Sequence, residues 1–281
     1  MSFSVLNNIS GLNAQNQLNL NNVNLSRTLS RLSSGKRINS GADDAAGLQI
    51  ADSLRANVFA LNQSIRNAND GIGVAQMADG ALQEVTNLLT RGVTLAEEAA
   101  TETVDAAGKQ SLQDEFTSIA TEIDRIATQT NFNGAYLFTA DGLGTGAGAG
   151  KLSVFVGDMS SSSSIDVSID SFTAADLNGT DLTAVDLVGD AAGALADIKS
   201  ALNSVAGMRG TIGAGMNRLQ SAVAVLQTQV QNTQSAESTI RDANMAEEIS
   251  NLTKQQILAQ SGMAALAQAN SGSQSILTLL K

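Results

Sequence analysis

MAEEISNLTKQQILAQSGMAALAQANSGSQSILTLL, residues Met245 to Leu280, reads as one long helix. Alternating steps of four and three pick out Met245, Ile249, Leu252, Gln256, Ala259, Met263, Leu266, Asn270, Ser273, Leu277 and Leu280. This is a heptad seam, apolar except at Gln256, Asn270 and Ser273. At ~1.5 Å per residue the helix extends about 50 Å. A stripe that narrow is not buried by its own helix and needs a partner. The other end of the chain offers one: Val5, Ile9, Leu12, Leu18, Leu25, Leu29 and Leu32 form a similar, less regular stripe. The expected molecule pairs its two termini with each other and, in an assembly, with copies of itself.

Composition agrees with long, closely packed helices. In 281 residues there is no Pro, the main helix breaker, and aromatics make up only 3%, so Ala, Leu, Ile and Val must form the core. The net charge is −11 with no Lys/Arg stripe, which argues against a nucleic-acid partner. With no Cys and no His there is no thiol chemistry, no Cys/His metal site, no Ser-His-Asp triad and no histidine switch. No catalytic residue, cofactor or metal site is expected. The first residues, MSFSVLNNISGLNAQNQL, have neither the cationic nor the continuous apolar part of a secretory signal. No stretch approaches the ~20 apolar residues of a membrane span, so no membrane insertion is expected.

The N-terminal helix is crowded with Asn: 7, 8, 13, 16, 19, 21, 22 and 24. Two readings fit: a solvated face of a weak helix, or a helix ordered only when a partner covers its seam. Gly35 and Gly41 then mark a break, and Ser40 or Asp43 is the expected cap of the next helix. Asp43 and Asp44 read as acids placed for the helix dipole rather than as a catalytic pair. A helical pattern follows from Ala45 to about Ala100, and a second helix carries Leu112, Phe116, Ile119, Ile123 and Ile126.

At Asn133-Gly134 the period changes to that of a turn. Strands are expected at Tyr136–Thr139, Lys151–Val156 and Ile165–Asp170, within a β region of about 132–175. GTGAGAGK (Gly144 to Lys151) falls short of a phosphate loop, because Thr145 stands where the first glycine belongs and Leu152 where Ser or Thr is needed. Asp190 can cap the next helix, where Gly207, Gly210, Gly213 and Gly215 either permit close approach or local bending. Arg209 on its seam reads as a snorkelling stem. Extending that phase beyond Ile240 meets only polar residues, and the apolar seam restarts one residue late at Met245, which marks a boundary between coiled segments. The expected fold is mainly α: long antiparallel, coiled-coil helices with a small β-hairpin region and paired termini. The expected domains are 1–42 and 242–281 together, enclosing 43–241.

The motifs LSRLSSGKRINSGADDAAGLQIADSLR (Leu29 to Arg55, continuing to Val85), IDRIATQTNFNG (ending at Gly134), MRGTIGAGMNRLQSAV (Met208 to Val223) and AESTIRDANMAEEISNLTKQQILAQSGMAALAQAN (Ala236 to Asn270) resemble bacterial flagellin, at both ends and in the family's order. Asn244, where the family usually has Asp, and Ser273, where Pro is common, depart from it. The stretch between the matched ends is short, so the large outer domains of many flagellins are not expected. The resemblance implies a structural subunit, not an enzyme, that is exported unfolded by a type III apparatus and polymerises beneath a cap into the extracellular filament. A hook–filament junction protein of the same architecture is the alternative, although its C-terminal segment usually matches flagellin poorly. The implied partners are copies of itself, an export chaperone on the C-terminal helix, the cap and hook-junction proteins. The candidate polymerisation residues are Val5, Ile9, Leu12, Leu25, Leu29 and Leu32 with Ile249, Leu252, Met263, Leu266, Leu277 and Leu280. A further implied partner is the vertebrate Toll-like receptor for flagellin, through Arg91, Leu95 and Glu115, with Thr90 departing from the family's usual Gln. Ordinary surface and packing roles for these three residues are the competing reading.

Overall fold

The computed structural model describes residues 8–139, 150–158, 163–177 and 179–279, with side chains through 272. The helices are α1 (Ile9–Ser34), α2 (Ala45–Ala99), α3 (Ala106–Gln129), α4 (Ala191–Arg241) and α5 (Met245–Leu279). Among the described residues, two antiparallel hairpins lie between α3 and α4 in sequence: β1 (Asn131–Phe132) with β2 (Ala135–Tyr136), and β3 (Lys151–Phe155) with β4 (Ser164–Ser168). The mainly helical fold expected from the sequence is the one found. By compactness the chain forms two units, one of residues up to 56 with those from 232 onward, the other of residues 57–231. The expected boundaries at 42–43 and 241–242 fall in the loops flanking α2 and α4, whereas the compact units divide within those two helices.

In the unit of residues 57–231, α2, α3 and α4 bury Leu82, Leu89, Phe116, Ile123, Ile198 and Val205 among themselves. The segment after β2 closes this core. Leu137 and Phe138 turn inward instead of extending a strand to Thr139, and Phe138 packs on Phe172 with ring centroids 4.8 Å apart. Asn133 and Gly134 both take positive φ, 51° and 82°, as the Asn-Gly turn requires. Asp105 caps α3 by accepting from Gly108 N at 2.8 Å, and Asp190 caps α4 by accepting from Gly193 N at 2.9 Å. The glycine-rich loop at 142–149 and the serines 160–162 lie outside the described residues.

Helix α4 is continuous through Gly207, Gly210, Gly213 and Gly215. Gly207, Gly210 and Gly213 meet nothing on their open sides; of these four, Gly215 alone serves close approach to another element. Hairpin β3–β4 packs Val154 and Val167 against Ala68 of α2 and Leu219 of α4. A Cβ on Gly215 would stand 2.6 Å from Val167, and one on Gly71 would stand 2.5 Å from Val154. Arg209 does not merely snorkel: its Nε donates to Asp79 of α2 at 2.8 Å. Gly215→Val should lift the hairpin from α4, because stiff Val167 cannot yield without moving its strand. The expected cost is about 1–3 kcal/mol, read as a lower thermal midpoint of the full chain; an unchanged midpoint removes this contact from the account.

Candidate functional site

The unit formed by the two termini is built on one antiparallel helix pair. Asn8 Nδ2 donates to Ala269 O at 3.1 Å, Asn21 Nδ2 to Gln255 O at 2.8 Å, and Arg31 Nη1 to Glu248 Oε1 at 3.5 Å. As one number rises the other falls by a similar step, so α1 and α5 run in opposite directions with a fixed register. Apart from Arg31 and Asn251, the covered residues of α1 are Gly11, Ala14, Leu18, Asn21, Leu25, Thr28 and Leu32, and those of α5 are Glu248, Leu252, Gln255, Ala259, Gly262, Leu266 and Ala269. Both rows step by three and four without a break, which is heptad spacing.

The inward row of α5 is not the seam read from the sequence. The two share Leu252, Ala259 and Leu266, every seventh residue, but the alternate members differ. Met245 is 45% exposed, Ile249 53% and Met263 54%. In their place Glu248, Gln255, Gly262 and Ala269 face α1. Hydrophobicity selected the larger apolar column, whereas packing selected the one that lets two backbones approach and whose polar members find partners on α1. The N-terminal stripe divides in the same way. Leu25 and Leu32 are half-buried, while Ile9, Leu12 and Leu29 stay exposed, as do Leu20 and Val23. Leu252 and Leu266 are half-buried against α1. Val5 and Leu280 lie outside the described residues, and so does the side chain of Leu277.

The sequence slip at 240–245 appears as a real break. Helix α4 ends at Arg241, and Asn244 caps α5, its Oδ1 accepting from Ala246 N at 3.1 Å. The loop after α1 is stitched to this break. Arg37 N donates to Arg241 O at 2.7 Å, Ala243 N donates to Gly35 O at 3.0 Å, and Gly35 takes φ 69° at the end of α1. Arg241 Nη1 meets Asp52 Oδ1 at 2.9 Å. Beside this joint Arg31 stands between two acids, Glu248 Oε1 at 3.5 Å and Asp43 Oδ1 at 3.9 Å. The cap of α2 is Asp44, which accepts from Gly47 N at 2.9 Å, and not Ser40 or Asp43. Asp43 instead accepts from Ser40 N and Ser40 Oγ, each at 3.1 Å, and so holds the loop.

Arg91, Leu95 and Glu115 are only partly a surface group. Arg91 on α2 and Glu115 on α3 form an exposed ion pair, Nη2 to Oε1 2.8 Å. Leu95 is fully buried in the helical core, so of the three residues only Arg91 and Glu115 are exposed. Residues four apart share a helix face, but of these two only Arg91 is exposed. Among the described residues no helix is long and apolar enough to cross a membrane.

This arrangement defines a helical structural subunit with apolar residues left uncovered on its paired ends. Family models agree: the bacterial flagellin N-terminal helical region matches residues 5–142 and the bacterial flagellin C-terminal helical region matches residues 195–280. The chain is 35% identical to flagellin FlaB1 of Treponema pallidum, 37% to a flagellin of Halalkalibacterium halodurans and 36% to a flagellin of Bacillus subtilis, in each case over 98% of both chains. The chain belongs to the bacterial flagellin family, whose members are structural, non-enzymatic proteins that self-assemble into the extracellular flagellar filament. It is a filament subunit of swimming motility, and the hook–filament junction alternative is not favoured.

Burial pushes the Asp43 carboxyl up, but the Ser40 and Asn39 N–H groups, the Ser40 hydroxyl and the Arg31 charge outweigh it and hold it below the ordinary value of 3.8. A depressed folded-state pKa stabilises the fold above 3.8, and that contribution fades as pH falls through the lower folded value. Asp43→Asn should therefore flatten the loss of α1 and α5 exchange protection below pH 3.8. Identical acid profiles for the variant and the wild type would remove Asp43 from this role.

Proposed function

We propose that the outward apolar residues of α1 and α5 are the surface through which this subunit polymerises, while the inward rows hold the terminal helices together. The observation that carries it is exposure: Ile9 63%, Leu12 59%, Leu20 59% and Val23 56% on α1, with Ile249 53%, Ile257 58% and Met263 54% on α5. Apolar residues on both the covered and uncovered sides of a helix mark it for burial on more than one side. A second copy is the partner that membership of a self-assembling family supplies.

The remaining partners follow from the same membership. The chain leaves the cell unfolded through the flagellar type III apparatus, a cytosolic chaperone holds its C-terminal helix beforehand, and cap and hook-junction proteins receive it at the tip. The exposed apolar residues of α5 support a chaperone contact, since free subunits would otherwise associate too early. For the vertebrate Toll-like receptor the supported contact is reduced to the Arg91–Glu115 pair. An Arg91→Ala/Glu115→Ala double variant should lose receptor-reporter signal; equal signal from the wild type excludes the pair.

Ile249→Asp and Met263→Asp each place a carboxylate on the outward flank. In the free subunit both sites are exposed, so each should move the thermal midpoint by no more than about 0.5 kcal/mol of stability. In a filament each loses the burial of an apolar side chain, about 1.5–3 kcal/mol, at every contact, so seeded growth should stop. Leu266→Asp faces α1 and should loosen the helix pair as well. Long filaments from Met263→Asp would show that this flank is not the assembly surface.

A further inference from the structure

The chain has no Cys, so methionine carries its only sulfur. Met208 is 8% exposed within the helical core, and Met216 packs against that core. Met77, Met245 and Met263 are open to solvent, at 41%, 45% and 54% exposed. Of these three, Met263 stands where assembly needs an apolar side chain. It lies on the outward side of α5, two heptads after Ile249. Met245 is the first residue of α5, beside the Asn244 cap, and Met77 belongs to the unit of residues 57–231. An aliphatic side chain such as Ile249 offers an oxidant no lone pair. A thioether does, and one oxidation step turns this flexible apolar side chain into a polar one.

We propose that Met263 is an oxidation site that regulates polymerisation: a peroxide converts its thioether to the sulfoxide on the free subunit, and the oxidised subunit no longer adds to a filament. The inference rests on the reading that the outward side of α5 is buried against other copies. A lone pair of the Met263 sulfur attacks one oxygen of hydrogen peroxide, and the S–O bond forms as the O–O bond breaks. Sulfur gives up two electrons and the peroxide is reduced. The departing hydroxide takes the proton of the transferred oxygen and leaves as water. The sulfoxide gains an acceptor oxygen and brings no donor. On the free subunit water solvates that oxygen, so the fold is kept. In an apolar contact between copies the oxygen is desolvated and unpaired, which is costly. The sulfur is accessible before addition and covered after it, so the oxidant stops growth without dissolving filament already built. Enzymatic reduction of the sulfoxide makes the arrest reversible.

The test uses the full chain, hydrogen peroxide as the oxidant and peptide mass spectrometry to locate the sulfoxides. In the free wild-type subunit Met77, Met245 and Met263 should oxidise before Met208. The oxidised subunit should keep its thermal midpoint, while its critical concentration for seeded growth rises about tenfold, as burial of one unpaired polar group requires. Met263→Leu conserves volume and removes the sulfur. Treated alike, this variant still carries sulfoxides at Met77 and Met245 and should grow like the untreated wild type. Treated Met77→Leu/Met245→Leu should still be arrested. The inference is overturned by normal growth of subunits carrying the Met263 sulfoxide, by arrest of treated Met263→Leu, or by a lowered midpoint that assigns the arrest to unfolding. If Met263→Asp arrests growth in those cases, the assembly surface stands without the oxidation site. If Met263→Asp grows long filaments, or Met263 oxidises as fast in filaments as in free subunits, the surface reading fails and the inference with it.

Discussion

A helix can turn only one stripe toward one partner, and the terminal unit of this chain is arranged around how that stripe is used. Between α1 and α5 the contact is made by a mixture of small, aliphatic and polar residues. Gly11, Ala14, Ala259 and Gly262 bring the backbones together, and Leu18, Leu25, Leu252 and Leu266 supply the apolar contact. Buried apolar area is worth about 25 cal/mol per Å², so a narrow row of partly covered leucines stabilises the pair only modestly. Asn21 and Glu248 weaken the contact further but select one register, since only there do Gln255 O and Arg31 stand opposite them.

The larger apolar side chains remain outside, and this links local packing to function. Ile249 and Met263 would enlarge a globular core if they faced α1, but the molecule could then bury little more on meeting a copy. Left outward, they keep part of the hydrophobic free energy for assembly. The unit of residues 57–231 shows the opposite economy. Phe116, Phe138, Leu82 and Leu89 are all but fully buried, and the β3–β4 hairpin sits against helices at glycines, so it has a core complete within the chain.

The joint between α4 and α5 connects these features. A continuous helix would carry the phase of α4 into a polar face, whereas three residues, Asp242 to Asn244, reset it. The loop after α1 is held to those residues by backbone hydrogen bonds, and Arg31 shared between Asp43 and Glu248 reinforces the corner. These groups are polar and partly covered, so their arrangement is directional where the hydrophobic contacts are not.

The elements follow from local sequence. Absence of Pro, heptad spacing, the Asn133-Gly134 turn, the Asp190 cap and the phase slip before Met245 act within a few residues of one another, and local physics is legible locally. Its motifs at both ends also carried the family. Which of two adjacent columns on α5 faces α1 is settled by packing, because both columns contain Leu252, Ala259 and Leu266 and differ only in what the partner helix can accommodate. It likewise decided that Leu95 is core and not surface, since it joins the buried cluster of the helical unit, and that Asp44 rather than Asp43 caps α2, since Arg31 and the Ser40 turn engage Asp43. In each case the deciding neighbour lies far away in sequence or on the next turn of a loop, where periodicity carries no information.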